Sequence, residues 1–248
     1  MNDIFHNTTT ALEGLFHKLE TKIDAPCRKP YADNFVYRYE ESTLEVALTQ
    51  KLARVITGLR ACLLLLTAGY FQEMAALQRV IDDLDEEIFF LVNGKLTDTW
   101  GVTHEKFLSA FYTEPFINPS DPNTALDVKR KPVSRKDIRT AVDISIEVMR
   151  DRGFPIDVNF IKNQRIVSSV FNGFVHAGSP QILELYGGDP PHYYLNGMLG
   201  TTREQESVYN QFYRGALSTS IICLYLQEPE LAEIANIAAK NLEDNKYW

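Results

Sequence analysis

The chain has 248 residues, 45% hydrophobic and 23% charged, which is ordinary for a globular protein and long enough to bury a real core. A net charge of −8 argues against general adhesion to nucleic acid or to an anionic membrane, because phosphate attraction needs a positive surface, and leaves room for a local basic patch. Three cysteines without a CxxC or Cys/His cluster, and no basic-then-apolar leader, give the expectation of a soluble cytoplasmic protein.

Residues 8–24 carry Leu12, Leu15, Phe16, Leu19 and Ile23 at helical spacing behind a threonine-rich cap. Residues 25–39 are rich in Tyr and Arg without a clear period, so a loop is expected there. Ser42 with Glu45 is a capping-box signal that opens a long helical pattern through Leu48, Leu52, Val55, Ile56, Leu59 and Leu63. Gly69 is either a kink in one very long helix or a turn between two. The pattern resumes through Met74, Leu77, Ile81, Leu84, Ile88 and Leu91, with Asn93-Gly94 as the expected C-cap. A short helix is expected over 103–112, followed by an extended connection marked by Pro115, Pro119 and Pro122. Ser134 and Asp137 read as the cap of a helix over about 135–152, with Ile138, Val142, Ile146 and Met149 on one face. Further helices are expected over 160–176, 205–226 and 230–242, and no convincing strand alternation is present. The expected fold is therefore all-α: one domain over 1–248, a bundle of six or seven helices built on long antiparallel ones. Its core falls at about 42–94 and 134–244, and residues 1–41 form an N-terminal helix and loop.

Common catalytic signatures are missing: there is no glycine-rich phosphate loop, GxSxG, HExxH or EF-hand, and no cofactor is implied. The most chemical-looking stretch is 160–178, FIKNQRIVSSVFNGFVHAG. As a helix it puts Arg165, Ser169, Asn172 and His176 within roughly a 60° arc. Val167, Val170, Phe171, Phe174 and Val175 fall on the other side. His176 reads either as a histidine settled against a helix C-terminus or as a proton-transfer or anion-contacting group oriented by Asn172.

A second constellation is the acidic run 82–87, with Arg79, Asp83 and Glu86 sharing a helical face. It reads as a solvated face with an Arg79–Asp83 pair, or as carboxylates that hold His176 or a cation. A third is the basic segment 129–139, with Lys129, Arg130, Lys131, Arg135, Lys136 and Arg139. It is either a solvated linker into the next helix or a phosphate grip, helped by the free backbone N–H groups at that helix start.

The pairing of ALQRVIDDLDEEIFFL with a later SSVFNGFVHAG resembles the HEPN-type helical proteins of bacteria, over about 42–94 and 155–190. Nuclease members of that superfamily carry an Arg-polar-x-x-x-His motif, cut RNA without metal and dimerise so that two motifs meet. Asn172 and His176 match the polar residue and the histidine, while Phe171 stands where those members have arginine. Arg165 is eleven residues from His176, about 16 Å along a helix axis. Arg79 is then the candidate substitute. The resemblance implies a protein that binds or processes RNA or a nucleotide in a defence or toxin-type system, with a homodimer as the assembly and neither DNA nor membrane as partner. The catalytic set is His176, Asn172 and Arg79. The binding set is Asp83, Arg165, Ser169, Lys129, Arg130, Lys131 and Arg135. The alternative is a non-catalytic helical scaffold that dimerises through its long helices, and a third reading places a metal between His176 and Asp82, Asp83 or Glu86.

Overall fold

The computed structural model describes residues 2–118, 120–129, 131–153, 158–198 and 202–245, with backbone alone at 2, 122, 126, 127, 158–164, 167 and 202–207. The described residues form nine α-helices: α1 (Asn2–Glu20), α2 (Leu44–Ala68), α3 (Phe71–Leu96), α4 (Val102–Phe111), α5 (Arg135–Asp151), α6 (Val158–Val175), α7 (Ser179–Leu183), α8 (Thr202–Tyr225) and α9 (Pro229–Asp244). Two antiparallel hairpins accompany them, β1 (Cys27–Tyr31) with β2 (Asn34–Arg38) and β3 (Tyr186–Gly187) with β4 (His192–Tyr193). The fold is mostly helical as expected, with more helices than the six or seven anticipated. The stretch expected to be a loop at 25–39 contains the first hairpin. No helix among the described residues is long and apolar enough to cross a membrane.

Gly69 is a turn and not a kink. It adopts the left-handed conformation (φ 79°) and takes the chain directly from α2 into α3. The two helices fold back on each other, with Lys51 against Glu87 and Gly58 against Ile81. Thr43, not Ser42, caps α2, its hydroxyl accepting from the Val46 N–H at 3.3 Å. Asn93-Gly94 does not end α3, which runs on to Leu96. Gly94 is there for close approach: a Cβ would sit 2.4 Å from His104 Nε2. The His104 ring cannot yield, because it is stacked between Phe90 at 4.1 Å and Trp100 at 4.7 Å. Thr8 and Thr9, expected before the first helix, lie buried inside α1, where Thr9 Oγ1 donates to the Phe5 carbonyl at 2.6 Å.

The core gathers Phe5, Leu12, Leu15 and Leu19 from α1, Leu48, Leu52, Val55 and Leu59 from α2, and Ile81 and Ile88 from α3. Phe212 and Ile222 from α8 and Ala235 and Leu242 from α9 close it. Each of the larger buried side chains contributes roughly 1.5–3 kcal/mol of transfer free energy before the entropy of ordering it is counted. α5 and α6 pack against α3, and α5 adds Ile138, Val142 and Ile146 to the same core along the face its period predicts.

Candidate functional site

The helical period of α3 sorts its acidic run into two layers. Asp82 and Asp85 point inward and are 2% and 5% exposed. Arg214 of α8 donates to Asp82 and lies 3.9 Å from Asp85 Oδ2. Ser218 Oγ, one turn further along α8, donates to Asp85 Oδ1 at 2.7 Å. Burial pushes both carboxyls up against the pull of Arg214, and Asp85 reaches about 6. Asp83, Glu86 and Glu87 point towards α5. There Arg135 Nη2 reaches Glu87 at 2.7 Å and Asp83 at 3.1 Å, and Arg139 Nε reaches Glu86 at 2.9 Å. The outer acidic face is thus part-buried and paired: its partners come from elements far along the chain, and Arg79 pairs with Asp83 within α3. Arg135, expected to hold phosphate, is committed to these carboxylates.

α6 presents its predicted polar stripe to solvent. Ser169, Asn172 and His176 are exposed, and Arg165 donates to Asp143 of α5 at 2.7 Å. The His176 N–H closes the last turn on the Asn172 carbonyl at 3.2 Å. Among the described residues, no hydrogen bond or ion pair joins the His176 or Asn172 side chain to Arg79 or to any carboxylate. The apolar face is less buried than its period implies: Val170 is 45% and Val175 46% exposed, while Val170, Phe171 and Phe174 line a pocket with Phe71, Met74 and Gln78 of α3. The Val167 side chain lies outside the described residues. Gly173, next to Asn172, serves packing: a Cβ would sit 2.7 Å from Gln181 of α7, whose carbonyl accepts from Gln72 of α3.

Among the described residues of the basic segment, Lys129, Lys131 and Lys136 are exposed without an ion pair, and the first two share a groove. Lys129 and Lys131 are exposed and join Lys106 of α4 along a groove of about 820 Å³ that Thr103, Ser109 and Thr113 also line. None of the three lysines has an ion pair among the described residues, although Glu105 and Asp137 also line the groove. Arg130 lies outside the described residues. Beside the groove, sharing the wall of Ala110, Pro132 and Val133, is a pocket of about 210 Å³ lined by Lys51, Glu87, Phe107, Phe111 and Arg135. Lys51 is 3% exposed, 2.5 Å from Glu87 Oε2, with its ammonium 5.0 Å and 4.5 Å from the Phe107 and Phe111 ring centroids. Lys51, Lys106, Phe107 and Phe111 belong to no motif in the sequence. The signal for Lys51 was present, since Leu44, Leu48, Lys51, Val55 and Leu59 share one helical stripe, and a charge set in an apolar stripe needs a built partner.

Other chemistry finds no support. Burial pushes Cys62 up to about 12 and Cys223 up to about 11, so neither is a ready nucleophile. Among the described residues no group of three His, Cys, Asp or Glu side chains is placed to hold a metal ion. No family model, curated protein or solved structure matches the chain.

Proposed function

We propose that this is a cytoplasmic, HEPN-like bundle of long antiparallel helices that binds RNA or a nucleotide through the lysine groove between α4 and residues 129–133. The observation that carries the reading is charge that is left over. Arg79, Arg135, Arg139, Arg165 and Arg214 are each tied to carboxylates, whereas Lys106, Lys129 and Lys131 face one open groove in a chain of net charge −8. Unneutralised ammonium groups in a groove with hydroxyl neighbours suit a phosphodiester or a nucleotide phosphate. His176 and Asn172 are a processing end only where a second copy brings a cation beside them. A single chain therefore binds without cutting, and a homodimer is the form that could process RNA in a defence or toxin-type setting.

Fluorescence anisotropy with a labelled RNA tests this. The triple variant Lys106→Ala, Lys129→Ala, Lys131→Ala is expected to weaken binding at least tenfold and to reduce the slope of log affinity against log salt by about two units, near 0.7 per lost phosphate contact. His176→Ala is expected to leave binding unchanged. Wild-type affinity in the triple variant would place the ligand elsewhere or nowhere.

A further inference from the structure

On the other side of the α4 C-terminus lies a second groove, of about 890 Å³, between the β1–β2 hairpin and the segment after α4. It meets the lysine groove at Thr113, which lines both. Its walls include Tyr31, Tyr37, Tyr39, Phe111, Tyr112 and Phe116. Tyr37 is 54% exposed, and Tyr31 stands edge-on to Phe116 with centroids 6.3 Å apart.

The two grooves differ in charge. The cations of the aromatic groove are answered in place: Arg38 Nη2 donates to Glu114 Oε2 at 2.8 Å, and Lys29 lies 3.5 Å from Glu40. One groove therefore carries three lysines against Glu105 and Asp137, an excess of one positive charge, with no aromatic ring in its lining, and its neighbour is near neutral and rich in rings. A ligand that fits both carries a phosphate backbone on one side and flat apolar faces on the other. Free phosphate or a polyanion lacks the faces. A duplex has them, but stacked inside, out of reach of a protein side chain. A single strand offers both.

We infer that the ligand is single-stranded RNA, with unpaired bases stacking in the hairpin groove while the adjoining phosphates lie on Lys106, Lys129 and Lys131. This rests on the function proposed above and adds to it the strandedness of the ligand and the residues that take the bases. The hairpin is then a stacking platform built outside the helical core, which accounts for aromatic side chains left open on a two-stranded ribbon that buries almost nothing.

The test compares three probes, a labelled single-stranded RNA, the same sequence as a duplex, and inorganic polyphosphate, against wild type, Tyr37→Ala, Tyr37→Phe and the triple lysine variant. Tyr37→Ala is expected to weaken single-stranded RNA on the order of tenfold. It should leave polyphosphate binding unchanged, and Tyr37→Phe should restore the RNA affinity. The duplex is expected to bind markedly more weakly than the single strand. If the lysine variant loses RNA but Tyr37→Ala does not, or if the duplex binds as tightly, the stacking inference is overturned while the groove reading stands. Wild type that binds neither RNA nor polyphosphate overturns both.

Discussion

Replacing Arg214 with alanine is expected to destabilise the protein by about 3–5 kcal/mol at pH 8 and by clearly less at pH 6. Arg214 is the cation between Asp82 and Asp85, and its own side chain is only 11% exposed. Removing it leaves two buried carboxylates, with Ser218 as the donor to Asp85 and Arg79 as the remaining cation near Asp82. The sign of the pH effect follows from the direction of the shift. Asp85 already titrates at about 6 in the folded protein, raised by burial above its unfolded value, so the folded state holds its proton more tightly than the unfolded one. Stability from that group is complete below the unfolded carboxylate range and is lost as pH rises through the folded value. Without Arg214 both carboxyls move higher still, so the variant's deficit grows from pH 6 to pH 8. Urea melts at the two pH values measure it. An equal loss at both would mean that the carboxylates are not what Arg214 restrains.

Phe212, two residues earlier on α8, provides the contrasting case. Its side chain is fully buried and its ring centroid lies 4.9 Å from that of Phe5 on α1. Two residues turn a helix by about 200°, so Phe212 and Arg214 work on opposite faces. Phe212→Ala is expected to cost about 3–5 kcal/mol through lost burial and the cavity left behind. No titrating group is uncovered, so the loss should be flat between pH 8 and 6 in the same urea melts. A loss below 1 kcal/mol would show that α1 closes over the gap, and that it is not held by this contact.

The helices were legible because their apolar residues repeat at 3.6 and their ends carry caps such as Ser134 with Asp137. The hairpin was not, because alternation is a burial signal and neither of its faces is buried, while Pro30 sits within β1. The acidic run of α3 shows why a charge pattern alone is ambiguous. The same spacing suits a face in water and a face gripped from two sides, and the deciding cations, Arg135 and Arg214, lie 48 and 132 residues from Glu87 and Asp82. Of the candidate site, Arg165, Ser169, Asn172 and His176 were read as one stripe; Ser169 and Asn172 are exposed on α6, Arg165 is held by Asp143, and His176 stands exposed in the turn after the helix. The Arg79–Asp83 pair was legible as an i,i+4 spacing within α3, whereas the exposure of Val170 and Val175 depended on how α6 packs against α3. Lys129 and Lys131 were legible as charge, but the groove that makes them a site depends on Lys106 of α4, which lines it with them.

The two ionic layers of α3 also differ in their contact with water. Arg135 and Arg139 are 32% and 34% exposed, against 2% and 11% for Asp82 and Arg214. Mobile ions shorten the reach of charges in contact with solvent to about 8 Å at physiological strength and act much less on those sealed away. Rising ionic strength therefore loosens the grip of α5 on α3 before that of α8. The strip 131–133 that walls the lysine groove leads directly into α5, so the same ions that compete for the lysines also slacken the wall behind them.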